Sequence, residues 1–280
     1  MKRKLPLLIA VCGLMASTSL SVAAERVVSI GGAITETIYA LGGQFELVGA
    51  DTTSYYPSAA NKLPKVGYQR TLSAEGVLSL APTQLIGSAE AGPATTLEQL
   101  KAAGVNITLL KSPRDIAGIN ENIVQLGALL NREEEARKLT TNINKSLEEL
   151  NAKTTASPVP YKVLFVMTHG AKTPMSAGKG TSADAILKLA GVHKFTPDFK
   201  GYKPLTTEAL AVMAPDVILT THRTIEQLGG MDQFLSLPGF NLTPAGQHKR
   251  VIAMDALRLL GFGPRTVEAA DDLYEKLKNL

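Results

Sequence analysis

The stretch LSAEGVLSLAPTQLI at residues 72–86 recurs as LTTEALAVMAPDVIL at residues 205–219. Leu72, Glu75, Ala81 and Pro82 match Leu205, Glu208, Ala214 and Pro215 at a constant offset. In each copy a hydroxyl residue ahead of an acidic one reads as the capped start of a short helix. The proline reads as a turn, because it cannot continue a helix, and the apolar run behind it as a buried strand. A unit repeated this far apart implies two similar lobes. Two lobes imply a cleft, and clefts between domains are where small ligands bind.

Outward from the repeats the chain alternates strand and helix. Val27 to Ile30 reads as a strand, Thr35 to Leu41 as a helix closed by Gly42-Gly43, and Leu47 to Ala50 as a second strand. A loop-rich stretch from Asp51 to Arg70 leads into the first repeat copy. Thr95 to Ala103 then reads as a helix and Val105 to Leu110 as a strand. Beyond Val163 to Met167 the alternation resumes, through a helix at Thr181 to Leu189, strands at Val217 to Thr220 and Val251 to Met254, and a closing helix from Thr266. Such alternation predicts parallel sheets flanked by helices. Between the halves, Ile123, Leu126, Leu130, Leu139, Ile143, Leu147 and Leu150 recur at helical spacing, which predicts a long helix over part or all of 119–155. The expected class is therefore α/β: two similar lobes at 25–118 and 156–280, joined by one long α-helix, with a ligand in the cleft. A stiff helical connection predicts a modest change of lobe angle rather than a wide closure.

Residues 1–24 are expected to be a secretory signal peptide. Lys2, Arg3 and Lys4 precede an apolar run from Leu5 to Ala16, and Val22-Ala23-Ala24 is a small-residue cleavage site. The run is too short for a span of about 20 residues, so no stable membrane anchor is expected. The single cysteine, Cys12, lies inside this run behind Val11, which argues against lipid attachment, and the mature chain has no thiol chemistry. Removing the leader takes three basic residues away and leaves 256 residues with 26 basic side chains against 25 acidic ones. That near-neutral balance excludes a nucleic-acid partner, which would need a concentrated basic face.

No Gly-x-Ser-x-Gly elbow, P-loop or His-Glu-x-x-His is present. The residues that could carry chemistry lie elsewhere. Val66-Gly67-Tyr68-Gln69-Arg70 places a phenol and a guanidinium two apart, so an extended segment would turn both to one face. A fixed positive charge favours phenolate, a ligand suited to ferric iron and known at haem. The alternative is a loop tyrosine packing its ring on the lobe surface. His169 follows a strand, at the carboxyl end where ligands of open α/β sheets bind; it is either an iron ligand or a loop histidine satisfied by backbone. His222 is a weaker candidate, and His193 and His248 read as turn or solvated residues. Glu75 and Glu208 stand at matching places near two helix starts. Helix-end electrostatics explain them without a partner; the other reading is one acidic docking knob per lobe.

The chain resembles the periplasmic haemin-binding proteins of bacterial ABC importers, in the helix-linked class that also holds cobalamin and siderophore binders. The class-wide likeness rests on Arg26-Val27-Val28-Ser29 with Thr35-Glu36, on Tyr56-Pro57 and on the two repeat copies. The haemin-specific likeness rests on Val66 through Leu78, on His169-Gly170 with Thr173 through Gly178, and on Gly261-Phe262-Gly263-Pro264-Arg265-Thr266. It implies a monomeric periplasmic carrier, not an enzyme, that takes haemin and delivers it to an inner-membrane permease dimer with its ATPase. Tyr68 would be the haem-iron ligand and Arg70 a hydrogen-bonding partner of its phenolate. His169 would be a second ligand or hold a second haem, and Glu75 and Glu208 would dock on the permease. Gln69 departs from the methionine expected there. Lys65, Lys172, Lys179 and Arg223 are candidates for the propionates, and Met167 or Met175 either packs in the core or touches the porphyrin. Tyr202, in Gly201-Tyr202-Lys203-Pro204-Leu205, is the pseudo-symmetric counterpart of Tyr68 and is expected to contact porphyrin rather than iron, since no arginine follows it two places on. The same fold could instead carry a ferric siderophore or corrinoid; a haem-dependent enzyme or chelatase would need a general base in the cleft, for which only His169 offers itself.

Overall fold

The computed structural model describes residues 25–280 except Gly170 and Phe195, with backbone alone for residues 169 and 171–173. The expected leader at 1–24 lies outside the described residues. In chain order the elements are β1 (Val27–Ile30), α1 (Gly32–Ala40), β2 (Leu47–Ala50), α2 (Ala74–Leu78), β3 (Gln84–Ser88), α3 (Ala94–Ala102), β4 (Asn106–Leu110), α4 (Ile116–Leu129), α5 (Glu133–Ala156), β5 (Val163–His169), β6 (Ala171–Ala177), α6 (Ser182–Leu189), β7 (Tyr202–Pro204), α7 (Thr207–Met213), β8 (Val217–Thr221), α8 (His222–Leu228), α9 (Met231–Leu235), α10 (Pro244–Gln247), β9 (Val251–Met254), α11 (Ala256–Leu260) and α12 (Thr266–Lys278).

The repeat is a structural repeat down to its hydrogen bonds. Ser73 caps α2 by accepting from the Gly76 amide, and Thr206 caps α7 by accepting from the Ala209 amide. Each helix runs to an alanine in left-handed geometry directly before the proline, Ala81 at φ 44° and Ala214 at φ 40°. The side chain after each proline then anchors the neighbouring strand: Thr83 Oγ1 accepts from the Arg26 amide at 3.0 Å, and Asp216 Oδ2 from the Lys162 amide at 2.8 Å. The strands that follow, β3 and β8, sit beside β1 and β5 in parallel register.

The first lobe is a four-stranded parallel sheet in the order β2-β1-β3-β4. In the second, β5, β8 and β9 are parallel, as the alternation predicts. The five-stranded order β7-β6-β5-β8-β9 adds an antiparallel edge, β6 and β7, that the sequence reading did not contain. Two apolar strands without a helix between them pair as hairpins, and here β6 turns directly back on β5.

The central strands are buried on both faces, and their residues alternate between cores. Val163 and Phe165 of β5 enter one cluster, Leu164 and Val166 another. Val27 likewise parts from Val28 and Ile30. The cluster holding Val27, Val163 and Phe165 is shared: it runs from the first sheet beneath α4 and α5 to α6 and α12 of the second lobe. A continuous core beneath the connection couples the lobes mechanically, because packed interiors transmit strain.

The expected helical connection divides in two. Asn131, at φ 53°, terminates α4 in left-handed geometry, and α5 then spans 24 residues. Its buried positions Ala136, Ile143 and Leu150 are seven apart and form one stripe. Glu133, Glu134 and Glu135 stand in its first turn and Lys153 in its last, each sign complementing the helix dipole.

A second junction joins the lobes through side chains. Arg265, ahead of α12, donates through Nε and Nη2 to both carboxylate oxygens of Glu36 on α1, each at 2.8 Å. Its guanidinium stacks over the Tyr56 ring, 3.3 Å from the centroid. Beside it, the Tyr55 hydroxyl donates to Asp255 at 3.0 Å and accepts from the Leu257 amide at 2.8 Å. Gly32 lets α1 approach this closely: a Cβ there would stand 2.5 Å from the Thr53 carbonyl and 2.7 Å from Leu257 Cδ1.

Candidate functional site

The carboxyl ends of β1, β2, β3 and β4 and those of β5, β8 and β9 carry the loops in which the candidate residues lie, as open α/β sheets dispose their ligand sites. A buried acid organises the first-lobe loops. Asp51 is fully buried; its Oδ1 accepts from the Gly31 amide and Ser54 Oγ, its Oδ2 from the Thr53 amide and Thr53 Oγ1, all within 2.9 Å. Saturating a buried carboxylate in this way removes the cost of burying it.

Tyr68 and Arg70 lie on the next loop. The backbone is not extended there. Gly67 takes φ 100°, and the Thr71 amide donates to the Tyr68 carbonyl at 2.8 Å, closing a turn. The two side chains are thus brought together by a turn and not by the two-residue alternation of a strand. Tyr68 is half-buried and Arg70 exposed. The Arg70 guanidinium donates to the Glu90 carboxylate; the expected hydrogen bond to the Tyr68 hydroxyl is not the one it makes. That Glu90 pairing, then burial acting against it and the charges of Glu90 and Tyr68, hold the Arg70 pKa above its ordinary value. Gln69 turns inward and accepts from Ser88 Oγ at 3.2 Å.

Tyr202 opens β7, behind Gly201 at φ 74°, and is 39% exposed. Burial of its hydroxyl end raises the phenol above its ordinary range. Arg114 and the Thr181 hydroxyl oppose that, and Glu90 reinforces it. Arg114 and Glu90 belong to the first lobe, so Tyr202 reaches the charges on the opposite wall. Arg70 is tied to Glu90, and Glu90 and Arg114 act on Tyr202 from the first lobe. Sequence reasoning missed Glu90 and Arg114. Both lie just beyond the ends of β3 and β4, and that strand-end position was the available signal.

The other expectations divide. His169 ends β5, but its side chain, like Lys172, lies outside the described part of the structure. Lys65 is not a cleft cation: its Nζ donates to the Ser54 carbonyl at 2.6 Å and the Ala60 carbonyl at 2.9 Å, and burial lowers its pKa against the pull of Asp51. Lys179 pairs with Asp198 on the outer edge. Arg223 is exposed at the start of α8 and close enough to act on the Tyr55 phenol, whose pKa burial drives well above its usual range. Met167 packs against the shared core, with Met175 opposite it in register. His222 is exposed as the first residue of α8; His193 and His248 are exposed turn residues. Among the described residues no cluster of three His, Cys, Asp or Glu side chains could hold a bare metal ion.

Glu75 and Glu208 occupy the second positions of α2 and α7 and are exposed. The Glu208 carboxyl is held below the usual range by its own backbone amide and by the Thr206 hydroxyl, which is the helix-start effect. A hollow of about 320 Å³ lies beside it, lined by Pro174, Leu205, Leu237, Pro238 and Phe240 with Thr206 and Thr207. A wider one of about 410 Å³ on the solvent face of α5 is lined by exposed charged and polar side chains of that helix alone and offers no site. No described helix is long and apolar enough to cross a membrane.

A family model described as "Periplasmic binding protein" matches residues 27–257. Among solved structures, a periplasmic heme-binding protein BhuT in complex with two hemes is 42% identical, with a TM-score of 0.86 over 91% of this chain and 98% of that one. HutB, a periplasmic heme-binding protein of Vibrio cholerae, is 40% identical with a TM-score of 0.81, over 91% of this chain and 99% of that one. A curated relative named vitamin B12-binding protein, from Vibrio parahaemolyticus, is 26% identical over 91% of this chain and 90% of its own length.

Proposed function

The chain belongs to the periplasmic binding protein family, and on that footing we propose that it binds haemin between its lobes and hands it to an inner-membrane ABC permease with its ATPase. The observation that carries the reading is the tight turn that holds Tyr68 and Arg70, with Arg70 tied to Glu90, a carboxylate whose charge also reaches Tyr202 of the second lobe. Phenolate is a hard donor for ferric iron, and tyrosine serves as an axial haem ligand elsewhere. Tyr202 offers a ring for the porphyrin face, and Arg114 and Arg223 offer cations for propionates. His169, at a strand end, remains the candidate for a second ligand or a second haem. The heme-binding proteins at 40% and 42% identity support haemin over a corrinoid, for which the named relatives stand at 26%.

The carrier makes and breaks no covalent bond. Its own groups orient the ligand, supply one iron donor and neutralise charge. Delivery requires recognition by the permease, for which Glu75 and Glu208, one per lobe and both exposed, are the proposed contacts. The hollow beside Glu208 would let an apolar permease residue seat next to the cation that meets the carboxylate. Location in the periplasm follows the family, and a cleaved leader at 1–24 is the proposed route there.

Competitive titration tests the reading. Purified mature protein is mixed with haemin, cyanocobalamin or a ferric hydroxamate siderophore and followed by absorption and calorimetry. Binding of haemin at one or two equivalents, without binding of the other two, is expected. Preference for the corrinoid would overturn it.

A further inference from the structure

Glu90 has no place in the reading above, yet it is the residue to which Arg70 is tied. The loops that carry the two are stitched together. The Gly92 amide donates to the Gln69 carbonyl at 2.9 Å, and the Leu72 amide donates to the Gly92 carbonyl at 2.8 Å. Ser88 Oγ donates to Gln69 Oε1 at 3.2 Å, and Thr96 Oγ1 to the Leu72 carbonyl at 3.1 Å. The placement of Glu90 against Arg70 is therefore set by backbone geometry on both sides.

The side chains are 53% and 38% exposed, and ion pairs that wet contribute little to folding. What the pairing does fix is the guanidinium. Arginine presents five donors in a rigid plane. Glu90 engages Nη2, which leaves Nε and Nη1 for a second acceptor in the same plane. Tyr68, three residues before the end of the turn, lies near enough for its charge to act on Arg70. We propose that Glu90 is a positioning residue for the iron ligand: it holds the Arg70 guanidinium on the turn that carries Tyr68, so that the remaining donors of that guanidinium can meet the Tyr68 oxygen. Carboxylates behind metal-bound side chains act in this way, fixing the orientation of the groups in front of them. The inference rests on haemin as the ligand and Tyr68 as its iron donor.

The test uses haemin-loaded full-length mature protein and two readouts, the phenolate-to-iron charge-transfer band and the rate of haemin loss to excess apomyoglobin. Glu90→Ala is expected to speed haemin loss about tenfold, within the range seen when such outer carboxylates are removed, and to move the band in the same direction as Arg70→Ala. Glu90→Gln, which keeps an acceptor for the guanidinium, should leave both the band and the rate of haemin loss near wild type. Glu90→Ala added to Arg70→Ala should change neither readout further. A band and loss rate in Glu90→Ala equal to wild type would overturn the assignment. So would a full additional effect in the Arg70→Ala background, because Glu90 would then act independently of Arg70. A wild-type protein that gives no charge-transfer band overturns the haemin reading itself, and the assignment with it; a wild-type band that Glu90→Ala leaves in place overturns the assignment alone.

Discussion

Glu36→Ala should destabilise the protein as a unit. Its side chain is 6% exposed, and both oxygens accept from Arg265, which is 20% exposed and stacked on Tyr56. Removing the carboxylate strands a guanidinium between the lobes with two donors unmet. Breaking a buried pair costs 3–5 kcal/mol when the remaining charge is fully enclosed. Arg265 retains some water, so the lower end, about 3 kcal/mol, is expected. For a chain of this size that corresponds to a fall in Tm of roughly 6–12 °C. Because the core runs unbroken between the lobes beneath α5, urea unfolding followed by circular dichroism should stay a single transition with a lower midpoint. The double variant Glu36→Leu/Arg265→Met removes both charges and should recover most of the loss, since apolar replacement of a buried pair is close to neutral. A loss below about 1 kcal/mol in Glu36→Ala, the value of an exposed pair, would refute the reasoning, as would two transitions.

Other outcomes are expected from single substitutions. Asp184, buried between the Gly180 amide at 3.0 Å and Lys188 Nζ at 2.9 Å, has its pKa raised by burial but lowered more by these partners, to a net value below the ordinary 3.8. A depressed carboxyl contributes stability above its unfolded value and loses it as pH falls through the folded one. Asp184→Asn should thus cost roughly 1.5–3 kcal/mol at neutral pH, with the gap to wild type closing below pH 3.8 in urea titrations. Tyr202→Ala should weaken haemin roughly 3- to 10-fold, the worth of one aromatic contact, while leaving the charge-transfer band in place; loss of the band would make Tyr202 a ligand. Glu75→Ala and Glu208→Ala should bind haemin as wild type does and lower uptake in proteoliposomes about tenfold, as truncated charge partners do; weakened haemin binding would place them in the fold or site instead.

The fold was legible because its signals are local and repeated. The Ala-Pro turns, the hydroxyl caps and the apolar runs of residues 72–86 and 205–219 gave both units and hence two lobes. Asn131 was harder to read: left-handed geometry at one non-glycine residue splits the connection, and helical spacing on either side conceals the break. The antiparallel edge strand β7 was missed for a different reason, since Lys203-Pro204 reads as a loop and pairs only because Ala177 and Ser176 offer an edge. In the site, the Gly-Tyr-x-Arg pattern was read as an extended segment, and the structure makes it a turn. Lys65 shows why charge alone ranks cleft cations poorly: its amine is spent on two carbonyls that no pattern in the sequence announces. Glu90 and Arg114 stayed hidden because each acts across a loop or across the cleft, at sequence separations that periodicity does not report.

The central claim is that a Tyr68 phenolate binds ferric haem between the lobes. Its most direct test is the absorption spectrum of the haemin complex of wild type and of Tyr68→Ala. The account predicts a phenolate-to-iron charge-transfer band in wild type that is absent from Tyr68→Ala, together with haemin affinity lowered at least about 100-fold, as loss of a direct ligand should exceed loss of its support. An unchanged band and affinity in Tyr68→Ala would contradict it.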